Sequence, residues 1–165
     1  MASGPRKPLP RAIAKRILVL PPHVRALREN LERISLDEYK LGLASRTTNE
    51  LNVYVYPIER PFEIVDNILL ELAEEALAAA GKATGPRRAD DLQRLRDNKV
   101  IGERRRRRLA EIHRVRNDAQ HAYVDVDPKV LYEAGARLAD DAIGFLQDLV
   151  DWLRDLGFEL PERRR

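Results

Sequence analysis

The chain is 165 residues long, contains no cysteine, and is 35% charged with only 5% aromatic residues. These figures exclude disulfides, thiolate metal sites and cysteine nucleophiles. They leave a core of Leu, Ile, Val and Ala, which favours a single helical domain over a β-sandwich. The net charge of +3 is unevenly placed, with ten Lys and Arg against three acids from Arg94 to Arg116 and nine acids against three bases from Asp125 to Leu160. A basic face and an acidic face follow, the first suited to a phosphate polymer.

Residues 1 to about 20 open with Met-Ala-Ser-Gly-Pro, hold five bases and no acid, and include Pro5, Pro8 and Pro10, which predicts a flexible basic arm that orders near Ala12. After Pro21-Pro22, the three- and four-residue spacing of Val24, Leu27, Leu31 and Ile34 predicts an amphipathic helix ending near Leu43, with room for a break at Asp37 and Tyr39. Thr47-Thr48-Asn49 is a capping cluster, and the β-forming residues from Val53 to Tyr56 allow a short extended or irregular piece before Pro57. The second main helix is expected after Pro61 and as far as Ala80, its broad apolar face formed by Ile64, Val65, Ile68, Leu69, Leu72, Ala76 and Leu77, with Gly81 closing it and Gly85-Pro86 in the connection.

Leu92, Leu95 and Val100-Ile101 predict a short third helix closed by Gly102, and a fourth begins at Glu103 and runs through Arg104 to Arg108. Asp127-Pro128 opens a fifth, with Asp at the N-cap and Pro in the first turn. Its core face carries Leu131, Leu138, Ile143, Leu146, Leu149, Val150 and Leu153, and Phe145 and Trp152 read as packing residues. The expected fold is all-α: an up-and-down bundle of four to five helices over residues 21–160, preceded by the basic arm of residues 1–20.

The chemistry concentrates in Arg116-Asn117-Asp118-Ala119-Gln120-His121-Ala122-Tyr123. Arg holds phosphate through paired hydrogen bonds, and His moves protons near neutral pH, so together they supply what a phosphodiester transesterification needs. Arg108 and His113 have the same spacing but lack the Asn after the Arg and the Tyr two residues past the His. Requiring both lowers the chance expectation to below about one in a thousand chains of this composition. With three scattered histidines and no HExxH or His-x-His pair, neither a metal nor another cofactor is expected. No apolar run approaches the roughly twenty residues that span a bilayer, so a cytoplasmic protein without a membrane partner is the expectation.

The pattern R-N-x-x-x-H-x-Y resembles the signature of the HEPN superfamily, and specifically of HepT-type toxins. The order of elements from about Pro61 to Leu156 is similar as well: an apolar helix, a polar connection, a basic helix carrying the motif, and an acidic amphipathic helix opening with Asp-Pro. The resemblance implies a homodimeric, metal-independent endoribonuclease, the toxin of a toxin-antitoxin pair, with Arg116 and His121 catalytic and Asn117 orienting the substrate. It also implies that Tyr123 is the position given AMP by a partner nucleotidyltransferase of the minimal MNT type. Five helical residues turn through about 140° and rise about 7.5 Å, so Arg116 and His121 of one chain do not share a face. A local break or a second subunit would have to unite them, and the family does so by dimerising.

This chain departs from the usual HepT pattern in having Ala119-Gln120 before the His, where apolar residues are common, and in placing the carboxylate of Asp118 near the expected phosphate site. Arg104, Arg105, Arg108 and His113 are candidates for contact with the RNA backbone. The alternative for His113 is capping or packing, and for the arginine run a solvated surface paired with acids of the last helix. The rival to the ribonuclease is a catalytically silent HEPN module that binds a nucleotide or partner protein. It has no need of Arg and His together. A basic RNA-binding protein without chemistry would lack the aromatic surface expected of single-strand binders.

Overall fold

The computed structural model describes residues 6–121 and 125–161. Among the described residues six helices of eight residues or more form an all-α bundle: α1 (Arg11–Arg33), α2 (Leu36–Ser45), α4 (Tyr56–Ala79), α5 (Asp90–Asp97), α6 (Glu103–Gln120) and α7 (Pro128–Asp155). A single turn, α3 (Thr48–Glu50), leads into a π-helical turn over Leu51–Val55. The apolar face of α4 lies at the centre, against α1, α7 and α5, while α6 packs along α7. Val65, Leu69, Leu72, Ala73, Ala76 and Leu77 of α4 are buried, and their side chains join Leu20, Leu27, Leu138 and Phe145 in one core.

The basic arm expected over residues 1–20 is corrected by the structure from Lys7 onward. Strand β1 (Lys7–Pro8) pairs in parallel with strand β2 (Phe158–Glu159), and α1 begins at Arg11 and continues through Pro21 and Pro22. Two interior prolines forfeit two helical hydrogen bonds and cost about 3 kcal/mol or more each. Burial of Ile13, Leu20, Val24 and Leu27 offsets that cost. Arg16 adds a tether, donating from Nε to Glu71 at 2.7 Å and from Nη1 to Glu75 at 2.8 Å, both on α4.

The helix expected to reach Leu43 divides at Ile34-Ser35, because Ser35 and Glu38 form a reciprocal capping box that starts α2. The Tyr132 hydroxyl, from α7, donates to the Ile34 carbonyl at 2.7 Å and lies 3.0 Å from the Leu31 carbonyl, at the end of α1. The extended piece allowed before Pro57 is instead the π turn, in which the Tyr56 N–H donates to the Leu51 carbonyl. α2 seats closely on this turn: a Cβ on Gly42 would lie 2.9 Å from Tyr54 Cβ and from Val55 Cγ2.

α4 starts at Tyr56, before Pro61, and encloses it. Pro61 has no N–H for the Pro57 carbonyl four residues earlier, and the Asn30 side chain of α1 donates to that carbonyl at 2.8 Å instead. The repair joins α1 to α4 at the point where the sequence seemed to forbid a helix. α4 ends as expected, with Gly81 at φ +70° and the Lys82 N–H on the Leu77 carbonyl. The Asp127 side chain accepts from the Lys129 N–H at 2.8 Å, as the Asp-Pro start of α7 predicts. No helix among the described residues is long and apolar enough to cross a membrane.

Replacing Asn30 with Ala strands the Pro57 carbonyl, and urea denaturation should show a loss of about 1 kcal/mol.

Candidate active site

The motif helix α6 turns one face toward α4. Spacing of three and four residues puts His113, Arg116 and Asn117 side by side, while the same spacing on α4 aligns Glu59, Glu63 and Asp66. Asp66 is buried, at 3% exposure, and is among the few buried polar residues of the structure. A carboxylate taken out of water must find charge or hydrogen-bond partners, and α6 supplies them.

Asp66 Oδ2 accepts from His113 Nδ1 at 2.8 Å and lies 3.4 Å from Arg116 Nη1. Arg116 Nη2 lies 3.3 Å from Glu63 Oε1. The Arg116 side chain is 11% exposed, so its guanidinium is held mainly within the chain's own fold. Its Nε is buried without a hydrogen-bond partner among the described residues. The two carboxylates hold it unequally: Glu63 is half exposed and free to swing aside, whereas Asp66 is enclosed.

On the far side of the His113 ring, Asn117 Nδ2 lies 3.0 Å from Nε2. A carboxylate only accepts, so Nδ1 carries the proton that faces Asp66, and in the neutral ring Nε2 is then the acceptor for the Asn117 amide. Asp66, His113 and Asn117 thus form a continuous chain beside Arg116. Asp66 and Glu63 escaped the sequence reading, although a charged residue at a core position of an apolar helix is a signal that could have found Asp66.

His121 is the C-cap of α6, exposed and in extended conformation (φ −81°, ψ 92°), its N–H on the Asn117 carbonyl. The break between the two motif residues therefore exists, but no hydrogen bond or ion pair joins Arg116 to His121 among the described residues. Tyr123 lies outside the described residues. Of the arginine run, Arg105 pairs with Asp148 and donates to the Gly144 carbonyl, and Arg108 lies 2.7 Å from Asp141. Arg106 and Arg107 both engage Glu103, holding its carboxyl well below the ordinary glutamate range, while Arg104 is exposed. Ion pairing with the last helix, the alternative reading of the run, is what Arg105 and Arg108 show. Among the described residues no group of three His, Asp or Glu converges as metal ligands would.

The third acid of the row, Glu59, accepts from the Tyr39 hydroxyl at 2.8 Å. Burial pushes the Glu59 carboxyl above the ordinary glutamate range; the Tyr39 hydrogen bond opposes the shift and the Glu63 charge adds to it. The Tyr39 hydroxyl is itself pushed far up, first by burial and then by the charge of Glu59.

Residues 27–149 match the ribonuclease HepT-like family, and the chain belongs to that family. The matched span begins within α1, ends within α7 and includes the whole motif. The resemblance read from R-N-x-x-x-H-x-Y and from the order of the helices is thereby borne out. No curated protein and no solved structure matches the chain.

Because the folded protein binds the Glu59 proton more tightly than the unfolded chain does, the stability Glu59 contributes is present at low pH and is lost as pH rises through its folded value. Urea unfolding of wild type and Glu59→Gln between about pH 4 and pH 7 should show a pH slope above the ordinary glutamate range that the variant lacks.

Proposed function

We propose that this protein is a metal-independent endoribonuclease, the toxin of a toxin-antitoxin pair acting in the cytoplasm, with its active site composed from two protomers. One observation carries the reading: the full R-N-x-x-x-H-x-Y motif in a HepT-like ribonuclease chain, with Arg116 anchored on α4 and His121 exposed just beyond the end of α6. Arg116 faces inward and His121 outward, which supports a second subunit as the means of bringing an Arg and a His onto one phosphate.

In such a cleft one His121 takes the proton of the ribose 2′-hydroxyl as its oxygen attacks phosphorus. The bond to the 5′ oxygen breaks, and the second His121 protonates that leaving oxygen. The products are a 2′,3′-cyclic phosphate and a 5′-hydroxyl. Arg116 stabilises the additional charge on the pentacoordinate transition state, exchanging its exposed contact with Glu63 for one with phosphate while Asp66 keeps the guanidinium in place. Asn117 orients the substrate by hydrogen bonding.

Neutralisation is the second part of the proposal. A cognate nucleotidyltransferase of the MNT type transfers AMP from ATP to the Tyr123 oxygen and releases pyrophosphate. The added bulk and charge two residues from His121 then exclude RNA. The rival, a silent module that binds a nucleotide or a partner protein, draws support from the burial of Arg116 between two carboxylates.

Purified protein with unmodified Tyr123 should cut RNA in EDTA and leave cyclic phosphate ends. His121→Ala and Arg116→Ala should each lower the rate by about 10²-fold or more, read by gel and by 3′-end analysis. A wild type that cuts no RNA class would favour the silent module. Co-expression with the nucleotidyltransferase should add the mass of AMP at Tyr123, located by peptide mass spectrometry, and abolish cleavage; inhibition without that mass would reject the neutralisation scheme.

A further inference from the structure

The enclosed carboxylate on α4 does more than neutralise an arginine. A single oxygen, Asp66 Oδ2, meets both Arg116 Nη1 and His113 Nδ1, at 3.4 and 2.8 Å. In a neutral imidazole only one nitrogen carries a proton, so a carboxylate accepting at Nδ1 leaves Nε2 as a bare acceptor. The Asn117 amide nitrogen fills that position at 3.0 Å. With Nδ2 turned to the ring, the Asn117 carbonyl oxygen is left facing away from it, and it has no hydrogen-bond partner among the described residues.

We propose that Asp66 and His113 are positioning residues that fix the Asn117 side chain with its carbonyl oxygen presented to the cleft, as an acceptor for the 2′-hydroxyl of a ribose neighbouring the attacked one, whose own 2′-proton goes to His121. The inference rests on the ribonuclease reading above and gives Asn117 its substrate group. An amide free to turn would offer its NH2 end as readily as its oxygen, and the NH2 end suits phosphate oxygens, which DNA and RNA share. A carbonyl held outward suits a hydroxyl donor, which only RNA supplies. The relay therefore makes the site selective for ribose and holds Arg116 from the same carboxylate. His113 touches neither substrate nor the reacting atoms. It acts through Asn117, as outer hydrogen-bond partners commonly orient the groups that contact a ligand.

Two measurements test this. The first is the imidazole 15N spectrum of His113 in the full-length protein, recorded on the neutral ring. A ring proton on Nδ1 is expected, and a proton on Nε2 would overturn the relay. The second uses the His121→Ala protein, which should bind RNA without cutting it, titrated with an RNA oligonucleotide and with its 2′-fluoro counterpart, which offers no hydroxyl donor. A preference for RNA of about tenfold is expected, the worth of one hydrogen bond to an otherwise unpaired acceptor. Asp66→Asn, which is isosteric, and His113→Gln should each bring the two affinities within about twofold of each other without unfolding the protein. A purely structural role would lower the unfolding midpoint and leave the preference intact, which rejects the proposal. If Asp66→Asn does not fold, His113→Gln and the spectrum still decide. Wild type that cuts RNA while the variants keep their preference sinks the relay alone. Wild type that cuts nothing, yet prefers RNA and loses that preference in the variants, sinks the ribonuclease and leaves the relay standing.

Discussion

Burial of Asp66 is the constraint on which the motif region depends. An unpaired carboxylate in a helical core costs several kcal/mol, so a bundle built around α4 is stable only if another element brings donors to that position. α6 brings His113 and Arg116, one turn apart, and in doing so fixes its rotation and its register against α4. The proposed site residue Arg116 is consequently also one that satisfies the core. Its side chain is held in one place, with little conformational entropy left to lose.

The opposite side of α6 is set by a second group of charges. Arg105 and Arg108 reach across to Asp148 and Asp141 of α7, so part of the contrast between a basic and an acidic stretch is cancelled within the chain. Each of these pairs is partly exposed and contributes modestly to stability. Their geometric effect is larger. Arg105 lies over Gly144 so closely that an added Cβ there would meet its guanidinium, so a larger residue would require the arginine to move. Of the arginines considered for the RNA backbone, Arg104 is the exposed one, on the solvent side of this seam.

Prolines show how packing overrides local preference. Pro21, Pro22 and Pro61 each argue for a helix end when the sequence is read residue by residue, and all three lie inside helices. The carbonyl orphaned by Pro61 is satisfied by Asn30, a residue on another helix 27 positions away. Local sequence has no means of announcing such a partner. The arm expected over residues 1–20 was misplaced for the same reason: Arg16 binds Glu71 and Glu75, and β1 binds β2 at the far end of the chain.

Period and caps alone determined much of this protein. The apolar spacing of α4 and α7, the Gly81 stop, the start of α6 at Glu103 and the Asp127-Pro128 start of α7 are local signals, because backbone geometry and capping chemistry act within a few residues. The motif and its family were equally legible, since the pattern is one of particular side chains at fixed spacing. What only the tertiary structure decided is which surface each motif residue meets: that Arg116 turns inward to Asp66, that His113 lies between Asp66 and Asn117, and that His121 stands exposed beyond the end of its helix. These contacts join α4 and α6 across about fifty residues of chain. They are enforced by the cost of leaving a buried charge unpaired, which sequence spacing does not measure.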